Sequence, residues 1–203
     1  GGFAPYGAIF QAAPNGCKRT IFSRDSESIG TVNCGALKNA VLFVKNTDYY
    51  KADHDPKKAY ATVELVNIIE DVGCVLTAKY GAQGKVAVGQ TSYEYGGKLY
   101  LSGDNGNAHS SHQNGRDADI GFFFRDQKGQ LISMQTVMID TNTNIIDPRF
   151  DLEANWFFVR EFARHDLAEM IIIHGILAES IINFAKEDCG KRGSSCTQDD
   201  KAL

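Results

Sequence analysis

Two histidines and two aspartates lie within one short segment in the middle of the chain. His109 and His112 are three residues apart, and Asp117 and Asp119 follow within seven residues of His112. Imidazole nitrogen and carboxylate oxygen atoms are ligands of catalytic zinc, which takes three protein ligands and leaves one position for water. The spacing makes this segment a candidate metal site. The alternative is a polar loop whose histidines form only local hydrogen bonds.

The residues around these side chains predict how the segment folds. Residues 117–122 alternate between polar or small and apolar side chains, which is the period of a β-strand. On such a strand Asp117 and Asp119 face one way, and the apolar residues between and after them face the core. Gly115 allows a sharp turn just before the strand. We therefore expect a histidine on a loop beside a carboxylate on a rigid strand.

Two other histidines are weaker candidates. His54 stands between Asp53 and Asp55 and could form a ligand cluster with them, although an exposed polar turn is the plainer interpretation. His165, beside Asp166, is expected at the end of a helix. The helix dipole favours a positive charge at that position, so His165 needs no role in a site.

The string Ser-His-Gln-Asn-Gly-Arg-Asp-Ala-Asp-Ile, at residues 111–120, closely resembles the signature of the penicillin-insensitive murein endopeptidases. These zinc peptidases are grouped with lysostaphin-type and D-alanyl-D-alanine-cleaving enzymes. The resemblance implies that His112 and Asp119 are zinc ligands, and His109 matches a histidine often found just before them, as a further ligand or a substrate contact. Asp117 could orient a ligand imidazole from outside the ligand set. Weaker likeness extends over most of the chain from Ser28 onward.

The third zinc ligand does not follow from this segment. The family supplies it, and a histidine expected to act as general base, from a His-x-His motif on a late strand, and no such motif occurs up to Leu203. One explanation is that the polypeptide continues in a part not included here, which leaves the catalytic base unknown. The other is that His174 substitutes, at the end of a predicted buried strand over residues 168–174. A hydrogen-bonded histidine at the core edge is the plainer interpretation of His174.

The resemblance also implies the substrate, the peptide cross-links of bacterial peptidoglycan. A Gly-Gly loop precedes the histidine motif in the family, and Gly96–Gly97 stands at that place here. Tyr93 and Tyr95 beside it could then contact a peptide or sugar, or they could simply cover the edge of the core.

Two other functional classes compete with the zinc peptidase. With two firm ligands, the chain could be a degenerate, non-catalytic module that binds peptidoglycan or a partner protein. A cysteine hydrolase is weaker, because Cys74 lies in an apolar helical pattern and no cysteine has an evident base nearby.

Composition narrows the class of protein. The 203 residues suffice for a single domain, over residues 1–203, in which residues 1–39 are expected to form an irregular wrapping segment. Hydrophobic residues make up 43% and the net charge is −4, so a nucleic-acid binder held by phosphate contacts is not expected. No apolar run is long enough for a membrane span. The oligomeric state is not predicted.

Five cysteines indicate where the protein works. Cys189 and Cys196 flank a small polar loop that a disulfide would close, which predicts an oxidising compartment, periplasmic or extracellular. Five reduced thiols are the alternative. The odd count leaves one cysteine without a partner within the chain.

The predicted fold class is α+β, with a central antiparallel sheet that carries the metal ligands and two or three helices around it. A first helix is expected from Pro56, with Leu65, Ile69, Val72 and Leu76 on one apolar face. The remaining expected elements are a hairpin of strands 122–124 and 131–139, a helix 152–162 capped by Asp151, and a helix 175–185 after the strand 168–174.

Overall fold

The computed structural model describes residues 13–14, 16–52, 55–100, 108–193 and 196. In this part of the chain three α-helices and ten short strands occur. The helices are α1 (Val63–Tyr80), α2 (Leu152–Ala163) and α3 (Gly175–Arg192). The strands are β1 (Glu27–Thr31), β2 (Cys34–Lys38), β3 (Val41–Leu42), β4 (Tyr50–Ala52), β5 (Tyr60–Ala61), β6 (Val86–Val88), β7 (Phe122–Arg125), β8 (Leu131–Met134), β9 (Ile139–Asp140) and β10 (Ile145–Ile146).

The strands pair two by two. β1–β2, β3–β5, β7–β8 and β9–β10 are antiparallel, and β4–β6 is parallel. The predicted α+β class is confirmed, but the described residues do not form one continuous antiparallel sheet. Strands of two to five residues make few ladder bonds each, and single bridges join several of them to residues outside the named strands. One of these, between Val88 and Ile120, joins β6 to the segment that leads into β7.

Helix α1 is the central helix of the core. Thr62 caps its N-terminus by accepting a hydrogen bond of 3.2 Å from the backbone N–H of Leu65. The four residues of the predicted apolar face are all buried. The predicted start at Pro56 is wrong, because residues 56–58 form a separate 3-10 turn that leads into β5. Gly81 follows the last residue of the helix with a positive φ of 64°, and its N–H donates to the carbonyl of Thr77.

Helix α2 packs against α1, α3 and β7. Asp151 caps it as predicted, accepting a hydrogen bond of 2.8 Å from the backbone N–H of Ala154. The buried Asn155 holds both backbone polar groups of Phe123 in β7, at 2.9 Å and 2.7 Å. These bonds fix the strand that follows the histidine motif against the helical layer.

Two predicted strands differ from the structure. The return strand of the hairpin, β8, ends at Met134 rather than continuing to residue 139, where β9 begins separately. Residues 168–174 form no strand, and Ile172 is 88% exposed. The isoleucine run has high β-propensity, but no described strand pairs with it, and an extended segment needs a partner to become a strand. Helix α3 begins at Gly175 as expected and extends further than predicted.

The segment before β3 is more regular than predicted, because residues 27–38 form the β1–β2 hairpin. The part before the hairpin is held to α1 by charged groups. Arg19 forms an ion pair with Asp71, Thr20 bonds to Glu70, and His165 Nε2 lies 3.1 Å from Asp71 Oδ2. His165 does follow the end of α2, as the sequence predicts, and its contact there is a buried carboxylate.

Two disulfides link the cysteines. The predicted Cys189–Cys196 bond is present, and a second bond joins Cys17 to Cys74 in α1. Cys34 is exposed and unpaired in the part of the chain described. No helix among the described residues is long and apolar enough to cross a membrane.

Candidate metal centre

The histidine motif forms a tight loop that closes on itself. Asp117 Oδ2 accepts a hydrogen bond of 3.1 Å from the backbone N–H of His112. Two positive φ angles, 64° at His112 and 71° at Gly115, turn the chain between them. A left-handed conformation is uncommon for residues other than glycine, and the surrounding contacts must hold it. The loop therefore aims the His112 side chain from a backbone shape that the sequence pattern did not predict.

Neighbouring elements enclose this loop. The β1–β2 hairpin accepts a hydrogen bond of 3.0 Å from the Gln113 N–H at the Val32 carbonyl. On another side, the carbonyl of Gly115 accepts a 2.9 Å bond from the N–H of Thr62, the cap of α1. The contact between the β1–β2 hairpin and the histidine motif was not predicted from the sequence. The signal for the hairpin was the two-residue turn containing Asn33, a residue type favoured in hairpin turns.

The predicted Gly-Gly loop borders the motif. The N–H of Gly97 donates to the carbonyl of Gln113 at 2.9 Å. A Cβ at Gly96 would lie only 2.3 Å from the same carbonyl oxygen, so this close approach requires glycine. Tyr95 is 76% exposed, whereas the hydroxyl of Tyr93 accepts a 3.3 Å bond from the backbone N–H of Tyr100. The two tyrosines therefore differ, and Tyr95 is the one exposed to solvent.

The aspartates lie on an extended segment rather than on a strand as predicted, because β7 begins only at Phe122. This segment still pairs antiparallel with the residues that follow β6. The N–H of Gly89 donates to Asp119 O at 2.7 Å, and the N–H of Asp119 donates to Gln90 O at 3.0 Å. The predicted alternation holds, since Asp117 and Asp119 both reach His112 and Ala118 packs against the core.

The imidazole of His112 lies between the two carboxylates. Its Nε2 atom is 3.3 Å from Asp119 Oδ1, and its Nδ1 atom is 3.0 Å from Asp117 Oδ2. The Nδ1 contact lacks hydrogen-bond geometry, so Nδ1 has no hydrogen-bond partner among the described residues. The side chain of Asp119 is 43% exposed, which opens this edge of the site to solvent.

The charges around His112 change its protonation. Burial disfavours the imidazolium, but the side chains of Asp117 and Asp119 stabilise it more strongly and raise the pKa of His112 to about 10. In the absence of a metal the imidazole is therefore protonated at neutral pH. A metal ion that binds His112 must displace this proton, since only the neutral ring is a ligand.

His109 lies against His112. The two imidazole rings are 5.2 Å apart between centroids and meet edge to face. The backbone N–H of His109 donates to Leu99 O at 2.8 Å, which fixes the main chain. Its Nε2 atom is buried and has no hydrogen-bond partner in the part of the chain that is described. A buried polar atom ordinarily has a partner, so this nitrogen has capacity for a ligand.

The other candidate ligands are not brought to this site. His174 is exposed and occupies the N-cap position of α3, without a capping bond from its side chain. His54 and Asp53 lie outside the described residues. Within the described ranges no three His, Cys, Asp or Glu side chains stand close enough together to hold one ion. The structure thus places His112 beside Asp117 and Asp119, with His109 adjacent.

Comparison with known proteins agrees with the motif. The family model described as penicillin-insensitive murein endopeptidase matches residues 28–190. This span starts at Ser28, where the sequence likeness was expected to begin, and contains all but the first residue of the β1–β2 hairpin, the motif and most of α3. No curated protein matches the chain.

Proposed function

The chain belongs to the penicillin-insensitive murein endopeptidase family, and we propose from this premise that it is a zinc-dependent hydrolase of peptide cross-links in bacterial peptidoglycan. The zinc would be held by His112 Nε2 and Asp119 Oδ1. The observation that carries this assignment is their separation of 3.3 Å. Two ligand atoms about 2.1 Å from a tetrahedral zinc are about 3.4 Å apart, so one ion fits between them without rearrangement.

His109 is the further nitrogen ligand in this proposal. It is supported by the buried Nε2 atom that lacks a partner and by the edge-to-face contact with His112. We leave His174 out of the ligand set because it is exposed at the start of α3. In this proposal the His109 side chain reorients when zinc binds, because the described residues do not hold three ligand side chains within reach of one ion.

Each residue has a stated task. When bound, zinc supplies a Lewis acid that polarises a peptide carbonyl and acidifies a water molecule. Asp117 holds the backbone of His112 and faces its Nδ1 atom, which sets the direction of the opposite ring nitrogen. In this proposal the exposed edge at Asp119 admits the peptide, and the exposed Tyr95, on the loop that borders the motif, contacts it.

The protein's location follows from the same premise. The family acts on the cell wall, and two disulfides fit an extracytoplasmic protein. The proposal is periplasmic or secreted action on peptidoglycan peptides by one domain.

The test is hydrolysis of purified cross-linked muropeptide dimers, together with zinc stoichiometry. We expect about one zinc per chain and conversion of dimers to monomers that a chelator stops and added zinc restores. Conversion that the chelator leaves unchanged would contradict the zinc assignment. The alternative function, a module that binds peptidoglycan without cleaving it, is favoured by the absence of a complete three-ligand group among the described residues. Peptidoglycan binding with no conversion of zinc-loaded protein would establish that alternative.

Replacing Asp117 by asparagine should weaken zinc binding about 10- to 100-fold, the usual cost of losing a partner of a ligand histidine. The amide can still accept the backbone N–H of His112, but it removes the negative charge beside Nδ1. The measurement is the zinc dissociation constant by competition with a chelator. Asp25→Asn removes the same charge from an exposed position and should leave zinc affinity unchanged. Equal affinities for Asp117→Asn and wild type would disprove the supporting role.

A further inference from the structure

We propose that Lys58 and Tyr93 are positioning residues that fix the backbone position of His109 through hydrogen bonds to the backbone of Tyr100. The ammonium group of Lys58 donates a hydrogen bond to the carbonyl oxygen of Tyr100. The hydroxyl of Tyr93 accepts a bond of 3.3 Å from the N–H of the same residue. Both backbone polar groups of Tyr100 are therefore held by side chains. We call these two side chains the Tyr100 clamp.

Backbone pairing connects Tyr100 directly to the residues at His109. Tyr100 pairs with Ala108 in an isolated antiparallel bridge, and the N–H of His109 donates to Leu99 O at 2.8 Å. These two contacts tie residues 99–100 to residues 108–109, directly before the rest of the histidine motif. Ala108 and His109 are consecutive, so a shift of Tyr100 moves the residue whose ring lies 5.2 Å from that of His112.

The backbone segments that carry Lys58 and Tyr93 are hydrogen-bonded to each other. The carbonyl of Lys58 accepts the N–H of Thr91 at 3.1 Å, and the N–H of Tyr60 donates to Ser92 O at 3.1 Å. Lys58 and Tyr93 thus belong to two backbone pieces that are bonded side by side. Thr91 and Ser92 are fully buried, which limits movement of the pair.

The burial of Lys58 argues for a specific task. The residue is only 6% exposed, and no carboxylate of the described residues forms an ion pair with it. A buried ammonium group is costly unless it is paired, and an apolar side chain of the same length would fill the space at lower cost. The retained charge is explained by the strong hydrogen bond to Tyr100, which a neutral side chain of that shape cannot make.

Amide hydrogen exchange on the metal-free protein tests the clamp independently of activity. In Lys58→Met we expect the His109 amide to exchange at least about tenfold faster, because one charge-assisted bond to Tyr100, which pairs with the neighbouring Ala108, is lost. Amides in the middle of α1 should keep their rates. Lys57→Met, at the exposed neighbouring position, is the matched control and should change neither. An unchanged His109 amide, or equal acceleration throughout α1, overturns the proposal.

A double-mutant cycle then tests whether the clamp acts through His109. This second test rests on the proposed zinc function. Zinc affinity is measured in wild type, Lys58→Met, His109→Ala and the double variant. Lys58→Met should weaken binding about tenfold in wild type and have no further effect in His109→Ala. Equal losses in both backgrounds contradict the proposal. If Lys58→Met does not fold, Tyr93→Phe replaces it in the test, because it removes a single oxygen. The exchange of the His109 amide should then be accelerated in the same way but by a smaller factor. If no protein binds zinc, the proposed function fails while the exchange result still decides the clamp.

Discussion

The His112→Asn variant should bind no zinc and should cleave muropeptide dimers at least about 1000-fold more slowly than wild type. The site loses its central nitrogen, and metal catalysis supplies several kcal/mol of transition-state stabilisation, which corresponds to about three powers of ten in rate. Only Asp119 and His109 would remain of the proposed ligands, and two are fewer than the three protein ligands of a catalytic zinc site.

Asparagine is the informative replacement at this position. His112 has a φ of 64°, and asparagine tolerates that conformation better than alanine, so the loop keeps its shape while the imidazole is removed. Asn144, with a φ of 57° in the turn before β10, provides the control Asn144→Ala, which should retain zinc and activity. Hydrolysis by His112→Asn at the wild-type rate would refute the assignment of the site.

Removal of the Cys17–Cys74 disulfide should lower the free energy of unfolding by about 4 kcal/mol. The bond spans a sequence separation of 57, and closing a loop of that length restricts the unfolded chain by about this amount. It also ties the segment before the β1–β2 hairpin to α1, where Arg19 pairs with Asp71. The measurement is urea unfolding of Cys17→Ala/Cys74→Ala.

Two control variants separate the entropic effect from loss of a thiol. Cys34→Ala changes an exposed, unpaired cysteine and should leave the unfolding free energy within about 0.5 kcal/mol of wild type. Removing the Cys189–Cys196 bond, with a separation of 7, should cost about 2 to 3 kcal/mol. A loss below about 1 kcal/mol for the Cys17–Cys74 pair would show that the ion pairs, not the disulfide, hold that segment.

Features that depend on neighbours in sequence were predictable. The apolar face of α1 and the Asp151 cap follow from short spacings, because a helix brings residues three and four apart together. The Cys189–Cys196 bond was predictable because its two cysteines are separated by only 7 positions in the sequence. The alternation after Gly115 was enough to put Asp117 and Asp119 on one side, even though the regular strand starts later.

Features that depend on distant contacts were not predictable. Residues 168–174 read as a strand, but strand formation needs a partner ladder, and the described chain offers none. Cys17 pairs with a cysteine in α1 that no spacing identifies. The left-handed backbone at His112 depends on hydrogen bonds that its loop forms with the β1–β2 hairpin and with the cap of α1.

The family and the residue types that can hold a metal are recognisable from one contiguous string of residues. The position of each atom depends on how the chain folds. The separation of 3.3 Å between His112 Nε2 and Asp119 Oδ1 and the grip of Lys58 on Tyr100 each depend on packing between segments far apart in the chain. Such packing is the sum of many weak long-range contacts, and no local pattern of residues encodes that sum.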